Sequence, residues 1–85
     1  KTTRTRLTQS LRDLGFTVPD SQSNFILARW QGTPTARQIF EQLRDQAILV
    51  RYFDLDGLKD ALRISIGTDQ ETDALLTALK DIVSS

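Results

Sequence analysis

Apolar and polar side chains alternate strictly along residues 62–66. The apolar members at 62, 64 and 66 point one way, and Arg63 and Ser65 point the other. This period of two predicts a strand that buries one face. An arginine in the middle of the other face is a preset fork for a carboxylate or a phosphate. A solvated surface arginine is the alternative interpretation, and this segment alone does not decide between the two.

Two earlier segments also have the pattern of strands. Residues 24–30 carry apolar side chains on both faces, which favours a strand that is covered on two sides. Residues 48–53 alternate, with Val50 expected in the core and Leu49, Arg51 and Phe53 on the other face. The alternation therefore places Arg51 on the same face as the arginine of the last strand.

Two guanidinium groups on neighbouring strands repel each other unless a negative group lies between them. One possibility is an external anion. The other is an acid of the loop that joins the two strands, where Asp54, Asp56 and Asp60 are the candidates. Residue spacing leaves both possibilities open.

Three segments have helical periodicity. The first covers residues 3–14; the second is expected to start with Thr33 as N-cap and Pro34 at the first helical position. The third starts with a capping box formed by Thr68 and Glu71. The residues predicted to be buried are Leu7, Leu11 and Leu14 in the first helix, Ala36, Ile39, Phe40, Leu43 and Ala47 in the second, and Leu75, Leu79 and Ile82 in the third.

The predicted order is helix, strand, helix, strand, strand, helix, and residues 1–85 are expected to form a single domain. The predicted fold class is α+β. It has two layers, a small and mostly antiparallel three-stranded sheet with helices packed on one face. The last two strands are expected to be antiparallel neighbours, and the first two, which a helix joins, can run parallel.

The composition narrows the range of functions. Eleven basic and eleven acidic residues give a formal net charge of zero, which argues against a nucleic-acid partner. The sequence contains neither cysteine nor histidine, which excludes disulfides, zinc sites built on those residues and Ser-His-Asp triads within these residues. Because no apolar run approaches the ~20 residues of a membrane span, we predict a cytoplasmic protein with no membrane partner.

Taken together, the segments resemble the C-terminal small domain of histidinol-phosphate aminotransferases, which are fold-type I (class I and II) pyridoxal-phosphate enzymes. Residues 21–29 resemble the first strand of that domain, and residues 39–43 resemble the helix that follows. Residues 48–51, Ile-Leu-Val-Arg, resemble its next strand. Residues 61–68 resemble its signature strand, and residues 71–82 its closing helix. Each motif is moderately specific, but the ordered set covers essentially the whole chain.

The resemblance implies that Arg63 grips the anionic end of the substrate and that Arg51 contributes to the same pocket. It places Asn24 at a small polar position near the domain junction. The implied full-length enzyme is a homodimer that uses pyridoxal phosphate and transfers an amino group between histidinol phosphate and 2-oxoglutarate, giving glutamate, in histidine biosynthesis. A guanidinium suits this task because its fork binds both carboxylates and phosphates.

The resemblance also implies a large domain that precedes this region and carries the cofactor-binding residues. Lys1, Lys59 and Lys80 do not stand in the serine- and glycine-flanked setting of the family's cofactor lysine. We therefore expect these residues to be an excised domain that contains no catalytic residue and neither binds pyridoxal phosphate nor catalyses the reaction alone. The alternatives are a domain of a related enzyme, such as a threonine-phosphate decarboxylase, and a free-standing α+β ligand-binding or regulatory module.

Overall fold

The computed structural model describes residues 2–20 and 23–84, and in these residues it has three helices and three strands. Lys1, and Ser21 and Gln22 of the segment that resembles the family's first strand, lie outside the described residues. The elements are α1 (Thr2–Asp13), β1 (Phe25–Arg29), α2 (Ala36–Asp45), β2 (Arg51–Tyr52), β3 (Ala61–Ser65) and α3 (Asp69–Ser84). Their order and the α+β class confirm the sequence prediction.

The last strand in the chain, β3, lies at the centre of the sheet, and the strand order is β1-β3-β2. It is antiparallel to both neighbours, with Phe25 opposite Ser65 in β1 and Arg51 opposite Arg63 in β2. The antiparallel pairing of the last two strands is therefore confirmed. The strands β1 and β2 run in the same direction, but β3 lies between them, as in a split β-α-β arrangement.

One face of the sheet forms the core with the three helices. The side chains of Ile26, Ala28, Leu62 and Ile64 are buried on this face. The helical residues that complete the core are Leu7 and Leu11 of α1, Ile39 and Leu43 of α2, and Leu75, Leu79 and Ile82 of α3. The alternation in residues 62–66 therefore identified the buried face correctly, because only one face of the strand meets the helices.

Helix α2 begins two residues later than the sequence predicted. Its N-cap is Thr35, whose Oγ1 accepts a hydrogen bond from Gln38 N at 3.2 Å, while Gln38 Oε1 accepts one from Thr35 N at 2.8 Å. The predicted cap, Thr33, has Ala36 three residues later and so lacks a side chain to complete this reciprocal pair. Pro34 precedes the helix, and its carbonyl accepts a hydrogen bond from Trp30 Nε1 at 2.7 Å.

The end of α2 also differs from the prediction. The helix is capped by Gln46, and Ala47 has a positive φ of 63° and is exposed, so its assignment to the buried stripe was wrong. Ile48 N donates to Leu43 O at 2.9 Å, which closes the turn that leads to β2. Phe40 is only partly buried and stacks on Tyr52, with ring centroids 5.9 Å apart.

The strands are shorter than predicted, most of all β2. Only Arg51 and Tyr52 of the predicted residues 48–53 pair with β3. Asn24 lies just outside β1, but its carbonyl accepts a hydrogen bond from Ile66 N at 3.0 Å, which extends the contact between β1 and β3. On the other edge of β1, Thr17 exchanges two backbone hydrogen bonds of 2.9 Å with Arg29.

The start of α3 confirms the predicted capping box. Thr68 N donates to Glu71 Oε1 at 2.8 Å, and Glu71 N donates to Thr68 Oγ1 at 3.1 Å. The Glu71 carboxylate occupies the space that a Cβ at Gly67 would need, so glycine allows the helix to start directly after β3. This short connection places α3 back against the buried face of the sheet.

Candidate anion-binding site

The two predicted site arginines lie side by side on the sheet. Arg51 of β2 and Arg63 of β3 are register partners. Both point away from the helices, because their chain neighbours Val50, Leu62 and Ile64 are buried on the helical side. The structure therefore brings together the two residues that the sequence placed on one face.

We call the sheet surface opposite the helices the open face. Its strand side chains are Phe25, Leu27, Arg29, Arg51, Ala61, Arg63 and Ser65. Two residues that flank β2 belong to the same face, Leu49 by its alternation with the buried Val50 and Phe53 by its ring contacts with the two arginines. The prediction that β1 is covered on two sides was wrong, because Phe25 is 39% exposed although Ile26 and Ala28 are buried. Leu49 is 79% exposed, and Phe53 is half-buried. Apolar side chains on this face are thus left partly uncovered.

The acids of the loop before β3 do not neutralise the two arginines. The Asp60 carboxylate accepts hydrogen bonds of 2.7 Å from Arg29 Nη1 and from Gln31 Nε2. Asp54 faces Lys59 at 3.8 Å. Within residues 2–20 and 23–84, neither arginine of the pair forms an ion pair or a side-chain hydrogen bond. The possibility that Asp54, Asp56 or Asp60 pairs with them is therefore wrong for this structure.

The two guanidinium groups contact aromatic rings rather than a carboxylate. The Arg63 guanidinium carbon lies 5.0 Å from the ring centroid of Phe25 and 5.6 Å from that of Phe53. The corresponding atom of Arg51 lies 5.8 Å from the centroid of Phe53. These distances are in the range of cation–π contacts. The alternation in residues 48–53 predicted Phe53 on this face, whereas no sequence pattern singled out Phe25. The signal for Phe25 is an aromatic residue two positions from Leu27, the partner of Arg63.

Two adjacent guanidinium groups that have no acidic partner among the described residues form a positive site. Arg51 is exposed and Arg63 is half-buried, so an anion can reach the first directly and the second from the open side. The Nε of Arg63 is buried and has no hydrogen-bond partner in the described part of the chain. The arrangement can therefore bind a carboxylate or a phosphate through several N–H donors.

Asn24 lies apart from the two arginines, directly before the start of β1. It is exposed, and its carbonyl holds Ile66, while its side chain makes no hydrogen bond to another described residue. A role at a domain junction remains a prediction for this residue. Trp30 packs against Phe16, with ring centroids 4.8 Å apart.

The described residues do not fit pyridoxal phosphate by themselves. Lys59 is exposed and faces Asp54, and Lys80 is exposed on α3. Lys1 lies outside the described residues. Residues 2–20 and 23–84 also contain no group of three or more acids that could hold a metal ion. Within the same residues, no helix has the length and apolar character to cross a membrane.

Comparison with known proteins identifies the class to which this fold and site belong. Residues 1–79 match the family described as aminotransferase class I and II, and the chain therefore belongs to that family. A histidinol-phosphate aminotransferase 1 from Nostoc sp. is 49% identical over 100% of this chain and 24% of the relative. A histidinol-phosphate aminotransferase from Rippkaea orientalis is 53% identical over 98% of this chain and 24% of the relative. The chain thus spans about a quarter of the length of these relatives.

Solved structures agree with the family assignment. The histidinol-phosphate aminotransferase from Sinorhizobium meliloti, in complex with pyridoxal-5'-phosphate, has a TM-score of 0.85 and is 28% identical over 98% of this chain and 23% of that one. A decarboxylase from Sulfurospirillum multivorans has a TM-score of 0.83 over 96% of this chain and 24% of that one, at 24% identity. The second likeness concerns the fold alone. The resemblance noted in the sequence is confirmed.

Proposed function

We propose that this chain is the C-terminal small domain of a histidinol-phosphate aminotransferase and that its open face binds the anionic end of the substrate through Arg63 and Arg51. The observation that carries the proposal is the pair of guanidinium groups, in register on adjacent strands and without an acidic partner among the described residues. The names and identities of the relatives support the choice of enzyme.

The chemistry of the two substrates explains why arginine suits this position. Histidinol phosphate carries a phosphate ester, and its amino-group partner, the 2-oxoglutarate and glutamate pair, carries carboxylates. A guanidinium fork binds either group through two parallel N–H bonds, whereas a lysine offers only a point charge. In this proposal Arg63 contacts the anion in both half-reactions, and Arg51 acts mainly on the phosphate.

The remaining machinery belongs to the longer protein in this proposal. Pyridoxal phosphate supplies the electron sink and the amino-group carrier of such enzymes. Because the described lysines do not fit it, the large domain would hold the cofactor. We further propose that the longer protein is a cytoplasmic homodimer. A decarboxylase acting on a phosphate-bearing amino compound would use the same two arginines, and the shared fold does not separate the two reactions.

The test is kinetic and uses the longer protein with its cofactor. Arg63→Ala is expected to lower kcat/KM for both substrates by about 10- to 150-fold, the value of one charged hydrogen-bond set. Arg63→Lys should lose less, because the charge stays and the fork is lost. Arg51→Ala should lower kcat/KM for histidinol phosphate more than for glutamate. Arg37→Ala, on the exposed surface of α2, is the matched control and should change neither value.

Two outcomes would contradict the proposal. Unchanged kcat/KM for both substrates after Arg63→Ala would return this residue to a solvated surface role. The second concerns the 85-residue chain alone, which we expect to fold without catalysing amino transfer. Stoichiometric binding of pyridoxal phosphate to one of its lysines, with turnover of an amino donor, would show that no large domain is needed.

A further inference from the structure

Three side chains, two from strands and one from the residue that follows β2, converge on the open face. Arg63 lies on the central strand. Phe25 lies two residues from Leu27, the partner of Arg63 on β1. Phe53 lies two residues from Arg51, the partner of Arg63 on β2. Such diagonal positions are within reach of aromatic and long side chains. The guanidinium carbon is 5.0 Å and 5.6 Å from the two ring centroids, so it contacts both rings.

The two rings are the contacts that fix this guanidinium. Within the described residues, Arg63 forms no ion pair and no side-chain hydrogen bond, and its buried Nε has no acceptor. A long side chain without such contacts samples many rotamers, and ordering it on binding costs free energy. Ring contacts remove part of that cost before the anion arrives.

We propose that Phe25 and Phe53 are positioning residues, which hold the Arg63 guanidinium between their rings so that it meets the substrate anion already oriented. This inference rests on the proposed function. A ring holds a cation without occupying its N–H donors, because the attraction comes from the face of the π-system. An acid in the same place would neutralise the charge and compete with the substrate.

The two rings have different expected effects. The Phe53 ring also contacts Arg51, whose guanidinium carbon lies 5.8 Å from the ring centroid. Of the two site arginines, Phe25 contacts Arg63 alone. Loss of the Phe53 ring should therefore weaken binding of the phosphate substrate more than binding of its amino-group partner. Loss of the Phe25 ring should weaken binding of both substrates to the same extent.

The experiment uses the longer protein with its cofactor and compares Phe25→Leu, Phe53→Leu and Phe25→Tyr. Each leucine variant should raise KM, and the inhibition constant of inorganic phosphate, by about two- to fivefold, the value of a cation–π contact at an exposed site. The value of kcat should change less than the KM. Phe25→Tyr keeps a ring and should behave like the parent protein. Leu55→Ala removes an exposed apolar side chain from the loop before β3, outside the open face, and is the matched control.

A double-mutant cycle separates this inference from the proposed function. Phe25→Leu should have no further effect once Arg63 is replaced by alanine, since the ring acts through the guanidinium. An equal effect in both backgrounds, or no effect in the parent, would overturn the positioning role alone. If Arg63→Ala itself leaves KM unchanged, the proposed function fails and the inference fails with it.

A second series keeps the test decisive if a leucine variant does not fold. Phenylalanine with one, two or three ring fluorines at position 25 nearly preserves shape while it withdraws electron density from the π-face. The KM for both substrates should rise stepwise with the number of fluorines. A flat series in the folded proteins would overturn the inference.

Discussion

The two faces of β3 satisfy their side chains in different ways. Leu62 and Ile64 are buried against the helices, whereas Arg63, between them, lies on the open face without an ion pair in the described residues. Burial of apolar area stabilises the fold, while the unpaired guanidinium adds little to stability. If Arg63 binds the substrate anion as proposed above, alternate residues of one strand serve stability and binding, and each can be changed without the other.

A second comparison concerns two arginines on the same open face. Arg29 donates to Asp60 at 2.7 Å and to the Gly57 carbonyl at 3.0 Å, which ties β1 to the loop before β3. The Arg63 guanidinium contacts the rings of Phe25 and Phe53 and has no acidic partner among the described residues. The two residues are of the same type, so what distinguishes them is the presence or absence of an acidic partner.

The largest expected effect is on the buried face. Leu62→Ala should lower the free energy of unfolding of the 85-residue chain by about 2–5 kcal/mol, because it removes a fully buried side chain and leaves a cavity. Urea unfolding followed by circular dichroism measures this change. A loss below about 1 kcal/mol would mean that the helical layer does not pack on this face as the structure shows.

Loss of the ion pair between Arg29 and Asp60 should lower the free energy of unfolding less than loss of a core side chain. Asp60→Ala removes the acceptor of Arg29 and of Gln31 and should cost about 1 kcal/mol in the same unfolding experiment, as expected for a half-exposed ion pair with an added hydrogen bond. Asp56→Ala, in the same loop but without a described partner, is the control. Equal effects of both substitutions would remove the distinction between the two kinds of arginine.

Loss of the Arg63 side chain should lower the free energy of unfolding less than loss of that ion pair. Arg63→Ala is expected to change the free energy of unfolding by less than about 1 kcal/mol, since it removes only the contacts with two rings. Urea titrations of this variant and of Leu62→Ala in parallel compare adjacent positions on opposite faces. A loss as large as that of Leu62→Ala would show that Arg63 supports the fold and would weaken the case for binding.

The smallest effect on stability is expected at the most exposed apolar residue. Leu49→Ser should change the free energy of unfolding by less than about 0.5 kcal/mol, because Leu49 is 79% exposed. Exposed apolar patches favour association, so we expect the 85-residue chain to self-associate at high concentration and this variant to do so less. Sedimentation velocity over a range of concentrations checks both. If the parent chain stays strictly monomeric, the prediction that exposed apolar side chains of the open face cause self-association is wrong.

Local patterns in the sequence determined the elements and the side of the sheet on which each key residue lies. The alternation around Leu62 and Ile64 gave the buried face, and with it the outward direction of Arg63 and Arg51, because side chains in a strand alternate with a fixed period. The capping box of Thr68 and Glu71 marked the start of α3, since its bonds span only three residues. The match of ordered motifs also sufficed to predict the family, which the comparison with known proteins confirmed.

Only the tertiary structure decided which distant residues meet. The central position of β3 brings Phe25, which is 38 residues earlier in the chain, onto the same guanidinium as Phe53, and no local pattern specifies that register. The choice of Asp60 as partner of Arg29 rather than of Arg63 likewise depends on how the loop returns to β1. Composition and periodicity report neighbours along the chain; strand order and register, which the packing of the whole sheet selects, set the contacts that make the site.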